Sequence, residues 1–181
     1  MTSARFRRRV CRRRRPSGLY RIEVTAQPGS GMRILNQPTP PAFRESVKVA
    51  EQNLYANARS LVGDRDPRAH EFTVQLRAMD ADKTGALLGV PALVALSGAM
   101  LGKNTRGSTI IVGALALGGS LEPLPNVIRI AELAVEKKAG TLLLPVAARR
   151  QLNDLADDVW TKISIEFYKD ASDAAFKALE D

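Results

Sequence analysis

Gly85-Ala86-Leu87-Leu88-Gly89 is the stretch on which the reading of this chain turns. Two glycines enclose three apolar residues, and the segment opens the most apolar part of the sequence, Ala86 to Leu101. That part is too short and too rich in Gly and Pro to cross a bilayer, so it reads as a buried helix entered through a loop at Asp80 to Gly85. Gly102 to Gly107 then turns the chain. Thr109-Ile110-Ile111-Val112 is β-branched throughout, the pattern of a buried strand.

Working outward, Tyr20 to Thr25 alternates and reads as a strand. Pro28-Gly29-Ser30-Gly31 is a turn from which Met32 to Leu35 returns as a second strand, followed by a proline-rich link from Gln37 to Pro41. From Ser46 the period becomes helical, with Val47, Ala50, Leu54, Ala58 and Leu61 on one stripe. Gly63 to Pro67 is a loop and Phe72 to Leu76 a strand. Beyond Gly118-Gly119, a bend, Leu121 to Leu124 reads as a short strand. Asn126 is placed to cap a helix carrying Val127, Ile130, Ala131 and Ala134, and Gly140 ends it after Lys137 and Lys138. Thr141 to Leu144 is a strand, Ala147 to Leu155 a helix and Ile163 to Phe167 a strand. Asp170 caps a last helix running through Leu179. No internal repeat is present, and the pattern is one α/β domain from Gly18 to Asp181, residues 18–181.

The formal charge of +8 misleads about the folded surface. Residues 1–16 hold eight arginines (Arg5, Arg7, Arg8, Arg9, Arg12, Arg13, Arg14 and Arg15) and no acid, so the rest of the chain is formally neutral. Residues 1–17 read as a disordered Arg-rich arm with three open interpretations. It could contact nucleic-acid phosphates through Arg7, Arg8, Arg9 and Arg12 to Arg15. It could be an address signal, although it has neither an apolar region nor a serine-rich amphipathic pattern. It could be without a role. The single cysteine, Cys11, excludes an internal disulfide and fits the cytoplasm. No apolar run is long enough to expect a membrane span.

From Gly85 to Gly119 the chain resembles the proteolytic domain of the Lon peptidases. Gly85 and Gly89 stand where that family has Gly-Pro-Ser-Ala-Gly, and Gly102, Gly113 and Gly119 keep matching spacings. Val135 to Pro145 and Gln151 to Leu155 are similar to two further family segments. The resemblance implies a Lon-like mixed sheet with packed helices. It also implies a serine activated by a lysine whose pKa is lowered by burial. Here the serine position is Leu87. The lysine position falls near Ile128 to Ile130: at Ile130 counting back from Gly140, at Ile128 counting forward from Gly119. Arg129 stands between them, and a guanidinium stays protonated and cannot serve as a base. Two supporting polar positions are Val112 and Ala114. The expectation is a domain with no catalytic residue, its cleft filled by apolar side chains.

No other pair replaces the missing one. Ser97 falls mid-helix and is expected to bond a carbonyl one turn back. Ser108 and Ser120 read as turn residues, and Lys83 and Lys103 as solvated loop residues. His70 is the single histidine, which leaves little for a triad or a metal cluster, and no metal site is expected. Gly98 to Asn104 imitates a phosphate-binding loop. It has three residues between its glycines, Asn104 after Lys103, and a helix before it where a strand is required.

Gly18 to Glu23 with Pro28 to Gly31, Gly118-Gly119-Ser120, Glu132 to Glu136, Phe167 to Asp170 and Phe176 to Leu179 resemble the C-terminal region of the Lon-related AAA+ proteins of bacterial BREX phage-defence systems. This resemblance implies a domain that associates with its own copies and supports a DNA-acting AAA+ ring. ATP and Mg are expected only on the AAA+ module, with none in this chain. It further implies that the chain is a fragment or mis-started form of a larger protein. The alternatives are an ATP-dependent Lon-type serine peptidase domain and a nucleic-acid binder acting through the basic arm.

Overall fold

The computed structural model describes residues 18–36, 38–79 and 85–180. The arginines of the basic arm, Cys11, Asp80 and Lys83 lie outside the described residues. The fold is α/β, with two three-stranded sheets and helices packed on both.

In the first sheet, β1 (Tyr20–Pro28) and β2 (Gly31–Ile34) flank β3 (His70–Ala78), in the order β1-β3-β2. β1 runs antiparallel to β3, with Ile22 opposite Leu76 and Val24 opposite Val74, while β2 runs parallel to it. The chain does reverse between β1 and β2. However, the two do not pair with each other as a local hairpin would, because β3 takes the place between them. Phe72, Val74 and Leu76 alternate onto the buried face of β3.

That face is covered by two helices. α1 (Pro41–Ala56) buries Phe43, Val47, Ala50 and Leu54 on one stripe. It starts at Pro41 rather than Ser46, since proline suits a first helical position. The helical stripe reaches Leu61, but the helix breaks at Asn57, whose side-chain amide bonds the Asn53 carbonyl at 3.1 Å in competition with the backbone ladder. A short α2 (Ala58–Val62) follows. α3 (Gly89–Leu101) is enclosed on nearly every side and is capped by left-handed Gly102.

The second sheet is parallel, β4 (Thr109–Ile111), β5 (Thr141–Pro145) and β6 (Ser164–Tyr168) in that order. α4 (Val127–Glu136), a 3-10 turn over Val146–Leu152 and α5 (Asp157–Trp160) enclose a second core around Leu142, Leu144, Ala131 and Ile163. α6 (Ala171–Ala178) returns to α3. Asp170 caps it as expected, accepting the Asp173 amide at 2.9 Å.

Three local expectations fail. Leu121 to Leu124 makes only one bridge, between Leu121 and Leu115, because Pro123 and Pro125 remove two donors from a ladder. The helix expected over Ala147 to Leu155 is a 3-10 turn that ends at Leu152, and the short α5 begins only at Asp157. Asn126 precedes α4 in a left-handed conformation, φ 52°, and its side chain does not cap.

Candidate functional site

A groove of about 1470 Å³ runs between the two halves. Its floor is the face of α3 carrying Pro91, Ala95, Gly98 and Gly102. One wall is the outer edge of β1, and the other is formed by β4 and by Ile130, Leu133 and Ala134 of α4. Each wall strand is at the end of its sheet, so neither is paired on that side within its sheet.

Leu87 stands at the N-terminal end of α3, where the two halves are stitched together. Leu88 bridges Gly113 in parallel, the Val90 amide donates to the Gly113 carbonyl at 3.1 Å, and the Gly113 amide donates to the Leu87 carbonyl at 3.3 Å. The stitch needs small residues. A Cβ on Gly89 would lie 2.8 Å from the Leu115 nitrogen, and one on Gly113 would collide with the Tyr168 hydroxyl and Val90. Leu87 itself is left-handed, φ 61°, which a side chain of this kind rarely adopts. Such strain persists only where the surroundings impose it. The loop thus holds a backbone shape that its present side chain does not favour.

The structure brings Leu87, Val112 and Ile130 to one groove. Ile130 is 6% exposed and Ile128 is half-buried, and both belong to the second core. Of the two candidate positions, Ile130 lines the groove. Arg129 points outward and pairs with Glu132 at 3.3 Å and Glu136 at 3.4 Å, Glu132 first and Glu136 next holding its pKa above the ordinary value. The expectation of a filled cleft is corrected. The groove stays open, because the apolar side chains coat its walls and pack backward into the cores.

Among the described residues no serine, cysteine or histidine lines the groove. Lys103 does line it, but past the C-terminal end of α3, roughly 20 Å from Leu87 for a helix of this length. Ser97 is wholly enclosed and its hydroxyl has no hydrogen-bond partner among the described residues, so the expected bond to the preceding turn is absent. His70 opens β3, and its Nδ1 lies 2.9 Å from the Asp66 carbonyl. Gly98 to Asn104 forms the C-terminal end of α3, where carbonyl groups face outward and a phosphate would be repelled. Among the described residues, no three His, Cys, Asp or Glu side chains cluster as a metal site, and no helix is long and apolar enough to cross a membrane.

Comparison with known proteins places this architecture. The family model described as subunit ChlI of Mg-chelatase matches residues 42–148, more than half of the chain, and the chain belongs to that family. It is also similar to proteins named Lon-like protease BrxL. The one from Escherichia coli O9:H4 (strain HS) is 24% identical over 164 residues, covering 90% of this chain and 24% of that protein. The one from Bacillus cereus (strain H3081.97) is 21% identical over 163 residues, again 90% of this chain and 24% of that protein. Lon protease of Methylocella silvestris is 27% identical over 162 residues, 88% of this chain and 20% of that protein. The protein is therefore Lon-related, and it spans about a quarter of the length of the BrxL relatives it matches.

Proposed function

We propose that this chain is a non-catalytic Lon-like domain of BrxL type. It packs beside copies of itself in the cytoplasm and supports a DNA-acting AAA+ ring in phage defence. One observation carries this reading: the groove where the resemblance puts a serine–lysine pair presents Leu87 and Ile130, with no serine, cysteine or histidine along it among the described residues. A leucine has no nucleophilic atom and an isoleucine takes no proton, so the groove is suited to holding a partner and not to cutting one. ATP and Mg belong on this reading to the AAA+ module.

The relatives are named as proteases, which favours the alternative of a peptidase domain. Incubation of the purified chain with fluorescent casein separates the two. No cleavage is expected. Reproducible cleavage, lost on replacing a single serine, would overturn the non-catalytic reading. Light scattering tests the assembly: a mass that stays monomeric at high concentration goes against packing beside copies.

The eight arginines of residues 1–16 support a further role in binding nucleic acid. Deleting residues 1–17 should then abolish salt-sensitive DNA binding. Equal binding by the shortened chain removes that role.

A further inference from the structure

The groove is bounded differently at its two ends. At Leu87 it meets the stitch, where glycines let two backbones touch. At the other end it meets Gly102 to Thr105 and Leu179. Past α6 the chain is extended, Leu179 at φ −89° and ψ 147°. It crosses the connection between α3 and β4 as a strap. Leu179 bridges Thr105 in the antiparallel sense. The Arg106 amide donates to the Ala178 carbonyl at 2.8 Å, and the Glu180 amide donates to the Asn104 carbonyl at 2.9 Å.

The strap puts one apolar side chain into the groove. A Cβ on Gly98, on the groove floor, would lie 3.0 Å from Leu179 Cδ2, so Leu179 takes the hollow that the missing side chain leaves. Leu179 itself is 8% exposed. Glu180 is exposed, and so are Lys103, Asn104 and Thr105 beneath it, so the strap's backbone bonds run along the solvent side. Gly102 and Gly107 bracket the connection, and a Cβ on either would meet nothing within 4 Å. A short segment held by few, water-facing bonds opens locally more readily than a core strand, and unhindered glycines absorb the change in backbone angle.

We infer that, on the reading that the groove holds a partner, residues 179–180 are a releasable strap that regulates it. Leu179 occupies an apolar subsite at the groove's far end, and release of the strap frees that subsite for an apolar side chain of the partner. The affinity of the groove then scales with the fraction of molecules in which the strap is open.

Thr105 and Leu179 are an antiparallel pair whose flanking residues carry the hydrogen bonds. Such pairs bring Cα atoms to about 4.5 Å, within reach of a disulfide. In a full chain carrying Cys11→Ser, the double variant Thr105→Cys with Leu179→Cys is locked when oxidised and free when reduced, with no other difference between the two forms. The probe is the apolar dye anilinonaphthalenesulfonate, read by fluorescence well below the unfolding temperature. The reduced form should bind it at least about fivefold more tightly than the oxidised form. Equal binding, or tighter binding by the oxidised form, overturns the assignment. Adding Ala95→Trp fills the groove floor and should erase the difference. A difference that survives places the dye elsewhere, and the subsite is wrong. Hydrogen exchange on the unaltered chain tests the release with no substitution at all. The Arg106 and Glu180 amides should exchange at least about tenfold faster than the Val90 and Gly113 amides of the stitch. Equal rates, or the reverse order, overturn the release. Casein cleavage would unseat the non-catalytic reading alone, and equal dye binding the strap alone.

Discussion

The Tyr168 hydroxyl, at the end of β6, donates a 2.7 Å hydrogen bond to the Val112 carbonyl just past β4, reaching across β5 between them. It clamps the three strands of the second sheet at the end that meets Leu87. Tyr168→Phe should cost about 1–2 kcal/mol in urea unfolding, because the buried carbonyl then loses this donor. Burial also pushes the phenol well above its ordinary pKa of 10.0. A raised folded pKa means the stabilisation is whole below the unfolded value and is lost as pH climbs toward the folded one. By about pH 11 the loss attributable to this group is on the order of 1 kcal/mol. Urea melts across the alkaline range should show that decline in the parent and a shallower one in Tyr168→Phe. Some decline persists because Tyr55 is also raised, to about 12, by burial and then by Glu51.

Gly113 sits under the same hydroxyl. Gly113→Ala drives a methyl into Tyr168 and Val90 and should destabilise by about 3 kcal/mol or more. Adding Tyr168→Phe removes one of the two obstacles. The double variant should therefore be less destabilised than the sum of the singles, read as a positive coupling in a double-mutant cycle. Strict additivity would falsify the clash.

Asn53, 2% exposed on α1, donates from Nδ2 to the Val49 carbonyl at 2.9 Å and to the Ala116 carbonyl at 3.3 Å. It ties α1 to the Ala116–Ser120 turn beyond the stitch. Asn53→Ala should cost about 1–3 kcal/mol. It should also speed amide exchange at Gly119, whose amide bonds Ala116, more than at Leu143 in β5. Uniform acceleration at both would mean the tie is not local.

Restoring single members of the expected dyad should restore nothing. Leu87→Ser removes a half-buried side chain at a cost of about 1 kcal/mol and places a hydroxyl with no base. Ile130→Lys puts an ammonium where the side chain is 6% exposed and should cost about 3 kcal/mol or more. Neither variant should cleave casein. Cleavage by Leu87→Ser alone would reveal a base elsewhere in the groove.

Much of this was legible in the residues. The β-branched run at Thr109 and the leucine run at Leu142 announced buried strands, and the enclosed α3 followed from its uniform apolarity. The positions Leu87 and Ile128 to Ile130 rested on the family resemblance; Leu87 and Ile130 both line the groove. What escaped was non-local or depended on backbone hand. Ala148 and Leu152 are spaced as on an α-helix, so the 3-10 turn was hidden by a shared pattern. The unbonded Ser97 and the open groove are outcomes of packing that periodicity does not encode. The left-handed conformations of Ser108 and Lys138 also escaped, since neither position is a glycine.

The insertion of β3 between β1 and β2 sets an order of events during synthesis. Tyr20 to Ile34 emerge before His70 to Ala78, the strand with which β1 and β2 both pair. Closure across so many intervening residues is slow compared with forming a neighbouring hairpin. Until then β1 and β2 present open strand edges on which other chains can pair.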